Sequence, residues 1–497
     1  MVNPLISKTD IIARVAELSH GKKHLFFALV SREWRRAWGK RLKVTKAVTA
    51  DTSASQLQHC FDCGLTPCET ICHEAARLGL LEVLQTARAN GCGWGTRTCY
   101  TAAACGQLHV LQWLRKNSCP LDAGMPWISA VRDVFNFCHR GREKACPWDR
   151  LTCAMAAGRG HLNVLQWARR NGCPWGPETC LMAAARGNLG ILRWARRHGC
   201  PWGEETCSYA ALNGHLGVLQ WARRKGCPWT AVTCANAALA GHLGVLQWAR
   251  QNGCPWGAET CFQAAYGGHL GLLQWAREND CPWDEETCHE AAYGGHLNVL
   301  QWARQNGCPW TEKTCAYAAL KGHLDILQWA RQNDCPWTEK TCAIAAYGGD
   351  LGVLQWAREN GCPWDSDTCY LAACGGHLCI LQWAHENDCP WDEETCSEAA
   401  LEGHLDILQW ARANGCPWDW KTCAGAAEQG HLKVLQWARE NGCSWNEKTC
   451  YLAAREGHLK VLQWASANGC PCDWKELRAF AKEGIVREWI DANGAGH

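Results

Sequence analysis

The stretch Cys281-Pro-Trp-Asp-Glu-Glu-Thr-Cys-His-Glu-Ala-Ala-Tyr-Gly-Gly-His-Leu-Asn-Val-Leu-Gln-Trp-Ala-Arg-Gln-Asn-Gly307 decides the fold. It contains two helix signatures and two breaks. Asp284 is a capping residue, and Glu285 and Glu286 place negative charge in the first turn of a helix expected over 285–293. Gly294-Gly295 ends that helix, because glycine tolerates the left-handed conformation. His296 opens a second helix carrying Leu297, Val299, Leu300, Trp302 and Ala303, which stops at Asn306-Gly307. Pro309, in the Cys-Pro-Trp that follows, cannot extend it. Each helix is about nine residues, too short to stand alone in water, so the unit must be stabilised by its neighbours.

Those neighbours are copies of itself. Cys146-Pro147-Trp148 returns every 27 residues to Cys416-Pro417-Trp418, and Cys443-Ser444-Trp445 and Cys470-Pro471-Cys472 continue the frame. A fixed period of this length means a stacked array. The expected fold class is all-α, a helical-repeat solenoid of about sixteen helix pairs, with little strand and a small helical N-terminal segment. Residues 119–145 keep the length but lose the signature and read as a degenerate repeat; 470–494 read as a C-terminal cap. Two tryptophan ladders, Trp148 to Trp445 and Trp167 to Trp464, read as stacked core.

The chain has 497 residues and a formal net charge of +2, which points to no particular partner. It has no run of 18 apolar residues, and its start lacks the pattern of a signal peptide; an intracellular, cytoplasmic protein is expected. Charge is nonetheless uneven: residues 146–253 hold 12 Lys/Arg and 4 Asp/Glu, whereas 254–415 hold 8 and 23. Of 37 cysteines, fifteen lie in the Cys-Pro-Trp frame and fourteen in the Thr-Cys frame. Equivalent positions in adjacent repeats should be roughly 8–10 Å apart, too far for a disulfide. They are expected to be small, buried, reduced side chains.

The segment Thr287-Cys288-His289-Glu290-Ala291-Ala292, followed by Gly295-His296-Leu297 and Val299-Leu300, resembles the ankyrin repeat. Cysteine replaces the leucine of the family's TPLH box, and the unit has 27 residues rather than 33, the shortfall lying where ankyrins carry a β-hairpin. The resemblance covers roughly 65–494. Similar Cys-Pro-Trp arrays occur in giant DNA viruses of amoebae and in some protists; if the chain is viral, the expected location is the host cytoplasm. The resemblance implies a protein ligand held in a concave groove.

Residues 1–45 differ from the array. Leu25-Phe26-Phe27-Ala28-Leu29-Val30-Ser31-Arg32-Glu33-Trp34-Arg35 resembles the second half of an F-box, without its Leu-Pro opening. The resemblance implies that Leu25, Leu29, Val30 and Trp34 contact a Skp1-type subunit of a cullin ubiquitin ligase. The alternative is a scaffold or decoy with no ligase link, these helices serving as an end cap. Residues 46–64 read as a linker. The basic run Arg35, Arg36, Lys40, Arg41, Lys43 and Lys46 reads as solvated surface rather than a nucleic-acid site.

Positions that vary along the array are free to be read by a partner. In each first helix these are the residue before Ala-Ala and the two after it, spaced i, i+3 and i+4 on one face. The groove candidates are Tyr209, Asn236, Gln263, Glu290, Tyr317, Ile344, Leu371 and Glu398. No phosphate loop, HExxH helix or GxSxG elbow occurs, so no catalytic residue is assigned. No cofactor or metal is expected either: Cys281 and Cys288 lie seven apart, unlike zinc-finger ligands, and Asn188 and Asp350 replace the recurrent histidine.

Overall fold

The computed structural model describes residues 48–62, 65–117 and 149–494. The described residues form thirty-one helices and no strand, fifteen pairs preceded by one single helix. In the repeat quoted above, the A helix is Glu285–Tyr293 and the B helix Leu297–Gln305.

Both helices end in the same way. The His296 N–H bonds to the Ala291 carbonyl at 2.9 Å, and Gly295 to Ala292 at 3.4 Å. At the B helix, Cys308 bonds to Ala303 at 3.0 Å and Gly307 to Arg304 at 3.1 Å. These are the paired 6→1 and 5→2 bonds of the Schellman motif, which needs a left-handed residue just past the cap. Gly295 and Gly307 supply it, both at φ +82°. Of the glycine pair, only Gly295 is left-handed; Gly294 keeps a right-handed φ of −75°. At the Gly307 frame Asp280, Asp334 and Asp388 take φ of 61–64° instead, a conformation aspartate tolerates. The starts of the A helices are less uniform. Asp392, Asp419 and Asn446 accept a bond from a first-turn N–H, whereas Asp284 occupies the cap position without one.

Close stacking is carried by the A helices. Each packs on its own B helix and, within its part of the chain, on the A helices before and after it. Ala291 and Ala292, both fully buried, allow that approach. The rest of the core is Thr287, Cys288, Val299, Leu300, Ala303 and Cys308, each at 0 % exposure. By contacts the chain divides into two compact units, residues 1–237 with 244–254, and 238–243 with 255–497.

The histidine at the B-helix start braces neighbouring repeats. His296 shares a hydrogen bond at 3.0 Å between Nε2 and the Tyr266 carbonyl, 30 residues back. Its ring covers the preceding repeat's left-handed glycine: a Cβ on Gly268 would lie 2.5 Å from His296 Cε1. Asn188 makes the equivalent reach, donating to the Ala157 and Gly158 carbonyls at 2.9 and 3.0 Å. Asp350 does not. It turns back to accept from the Val353 N–H at 3.0 Å.

The structure corrects two expectations and adds to a third. The tryptophans are not the stacked core. They are half-buried and meet in pairs, Trp283 with Trp302 at 5.8 Å and 62°. The guanidinium of the preceding B helix lies over the first ring, Arg277 at 4.2 Å from Trp283 and Arg304 at 4.1 Å from Trp310. The same arginine donates to the backbone, Arg304 to the Cys308 carbonyl. One face of each such ring packs and the other takes a cation; Trp94, 5 % exposed, is buried instead.

The cysteines also have partners that comparison of equivalent positions misses. Where both are described, the Thr-Cys thiol neighbours the Cys-Pro-Trp thiol 20 residues on, as Cys288 does Cys308 and Cys315 does Cys335. A hydrogen bond to Cys308, together with burial, pushes Cys288 up. Burial pushes the Cys72 thiol up to about 12. Cys308 in turn donates to the Asp284 carbonyl at 3.3 Å. All the described cysteines are free thiols, and Cys105 and Cys379 are exposed.

Third, part of the expected linker is helical. Ala54–Asp62 buries Leu57 and Cys60, and the Asn90 side-chain amide donates a hydrogen bond to Gln58 Oε1 at 2.8 Å. At the other end, Trp474–Phe480 and Ile485–Asn493 form a shortened pair joined by an Arg478–Asp491 ion pair at 2.6 Å. This pair leaves Phe480 and Ile485 exposed. The degenerate repeat at 119–145 lies outside the described residues.

Candidate functional site

Because Ala-Ala turns inward, the residues on either side of it turn outward. In unit 1, Tyr209 is 41 % exposed, and Asn236 donates to the Ser208 carbonyl at 3.4 Å. In unit 2, Gln263, Glu290, Tyr317, Ile344, Leu371 and Glu398 are all half-buried.

The structure brings three of these together. Gln263, Glu290 and Tyr317 line one pocket of about 460 Å³ with Phe262, Tyr266 and Tyr293. Tyr266 and Tyr293 are the last residues of successive A helices. Their rings lie roughly parallel, 6.0 Å apart at 29°. Tyr317 presents its ring to Tyr293 at 5.8 Å and 75°. Beneath them, the buried His289 holds Tyr317 edge-on at 5.9 Å and bonds Thr311 Oγ1 at 2.9 Å. Lys321 places Nζ 4.4 Å from the Tyr293 centroid. Burial, and then the neighbouring Glu286, raises the pKa of Glu290.

The sequence reading named Gln263, Glu290 and Tyr317, covered Tyr266 and Tyr293 only as the variable position after Ala-Ala, and did not include Phe262. A signal for the two tyrosines was present: Ala-Ala-Tyr-Gly-Gly recurs at 264–268, 291–295 and 345–349. Phe262 gave none, since it precedes the variable position.

Further along the same face, Cys374, Glu398 and Glu402 place one ligand atom each within 4.8 Å of one another. A thiol with two carboxylates could hold a divalent cation. Burial and mutual repulsion raise Cys374 and Glu398. His296, the recurrent histidine, is taken up by its contact with the Tyr266 carbonyl. The F-box-like residues Leu25, Leu29, Val30 and Trp34 lie outside the described residues.

No protein-family model matches the chain, and no curated protein matches it in sequence. Among solved structures it is similar to the human ASB11 ankyrin repeat domain, at 17 % identity and a TM-score of 0.27, over 32 % of this chain and 84 % of that one. It is also similar to the pentatricopeptide repeat protein PPR10 in complex with an 18-nucleotide psaJ RNA element. That match has 13 % identity and a TM-score of 0.32, and covers 98 % of this chain and 78 % of the other. Among the described residues no helix is long and apolar enough to cross a membrane.

Proposed function

We propose that the chain is a non-catalytic, polypeptide-binding repeat module that reads its partner with the outward face of its A helices. One observation carries this. The positions that stacking constrains are buried, while the free ones come together in unit 2 as an aromatic pocket continuing into a half-buried face. A run of side chains, each from a separate nine-residue helix, suits an extended ligand more than a small molecule.

In its finer form the proposal makes the chain a substrate-recruiting adaptor. Residues 1–45 would engage a Skp1-type subunit of a cullin ubiquitin ligase through Leu25, Leu29, Val30 and Trp34. Only the sequence resemblance of that segment supports this part.

The full chain, used as bait beside a variant carrying Tyr317→Ala, Leu371→Ala and Glu398→Ala, tests the module. The variant should lose the retained proteins while unfolding at the same temperature. An unchanged set of retained proteins removes the face from function. A second variant, substituted at Leu29, Val30 and Trp34, should lose only a Skp1-type subunit. If the intact chain never retains one from a competent extract, the ligase link fails and the scaffold reading takes its place.

A further inference from the structure

The tyrosine pocket of unit 2 contains an electrostatic anomaly. Glu290 is half-buried among Phe262, Tyr266, Tyr293 and Tyr317, and its carboxylate makes no hydrogen bond or ion pair with the described residues. Glu286, one turn earlier, is already engaged by Lys313 at 3.8 Å and by His289 at 3.3 Å. A carboxylate held among aromatic rings without a counter-ion is costly, and a cation of a ligand would relieve that cost.

The rings are arranged to help. Tyrosine faces attract ammonium and guanidinium groups within about 6 Å of the ring centre. Tyr266 and Tyr293 lie roughly parallel, and Tyr317 meets Tyr293 edge-on, so ring faces look in two directions. The chain itself shows that Tyr293 accepts a cation, because the exposed Lys321 already lies 4.4 Å from its centroid. The wider surroundings have the same sign: residues 254–415 carry 23 acidic and 8 basic side chains. An anionic ligand such as RNA would be repelled there, and a neutral one would leave Glu290 without a partner.

We propose that this pocket receives the cationic side chain of a lysine or arginine, presented by a basic segment of the partner polypeptide. The proposal rests on the reading that the A-helix face binds a polypeptide, and it names the chemistry of that polypeptide. Glu290 pairs with the charge, Tyr266, Tyr293 and Tyr317 pack on the stem and its charged end, and the acidic surface beyond attracts the flanking residues.

The test uses the full chain and three fluorescein-labelled dodecapeptides that alternate glycine with arginine, lysine or glutamate, followed by anisotropy. The two basic peptides should bind and the acidic one should not. Tyr293→Ala should weaken binding about tenfold and Glu290→Gln about threefold to tenfold, the range expected for losing a desolvated cation–π contact or an ion pair. Tyr293→Phe, which keeps the ring, should stay within about twofold of the unmodified chain. Glu359→Gln removes one exposed charge at the end of a B helix and should change nothing. If Tyr293→Ala and Glu290→Gln bind like Glu359→Gln, the attraction is bulk acidity and the pocket assignment is overturned. Displacement of the basic peptides by a single-stranded RNA oligonucleotide from this site would also overturn it. If the capture experiment above succeeds while neither basic peptide binds, the polypeptide-binding reading stands and the cation pocket alone falls.

Discussion

Leu300→Ala is expected to cost about 3–5 kcal/mol, more than Trp302→Ala at about 2–3 kcal/mol, although tryptophan is the larger side chain. Leu300 has no exposed surface. Removing it leaves a cavity that nine-residue helices pinned at both ends cannot close. Trp302 is half-buried, so truncation loses one packed face and its contact with Trp283, the latter contributing about 0.5–1.5 kcal/mol. Chemical denaturation of the two variants checks the order. A Trp302→Ala loss equal to or above that of Leu300→Ala would put the tryptophan ladder back in the core.

The second large effect is expected at Gly295. Gly295→Ala should cost about 2 kcal/mol, from two separable sources. Left-handed backbone costs an ordinary residue roughly 1–2 kcal/mol. A Cβ there would also lie 2.7 Å from His323 Cε1, displacing the ring that covers it. Gly307 is the internal control: it has the same φ of +82° but nothing within 4 Å of a built Cβ. Gly307→Ala should therefore cost about 1 kcal/mol, the backbone part alone. Equal losses at the two sites, measured by denaturant midpoint, would show that the histidine contact contributes nothing.

How much of this was legible beforehand depended on whether the cause was local. The A-helix limits at Glu285 and Tyr293 follow from an acidic first turn and a glycine stop, both written in neighbouring residues. Which glycine of the pair turns left-handed was not legible, because either can; the backbone bonds of the termination motif select the second. Repetition at Trp302 signals constraint but not depth, which is set by how the stacked helices cover the ring. The thiol pairs form between residues 20 apart, an approach that appears only once the helices stack. For the proposed binding face, the 27-residue repeat puts Gln263, Glu290 and Tyr317 at one position of successive A helices, and the structure brings them to one pocket. The i, i+3 spacing sets Tyr266 beside Gln263 and Tyr293 beside Glu290, but that the rings of successive helices meet depends on the spacing between A helices, which the sequence does not carry. The F-box-like segment had no periodic context to support its reading.

Asp350 gives unit 2 a fault line. Most seams carry a histidine or asparagine able to reach back to the preceding repeat, but a carboxylate accepts only and cannot make that bond in any rotamer. Asp350 spends its oxygen on its own helix, so the joint between the repeats of Leu320 and Leu351 lacks that reach-back bond and keeps the Cys335 thiol on the Thr311 carbonyl at 3.6 Å and Arg331 over Trp337 at 4.1 Å. In a linear array tension passes through every seam in series, and the seam with fewest polar braces yields first. A chain drawn taut by a bound partner would give way at this joint, and the first rip in a force–extension trace should release the repeats on either side of it.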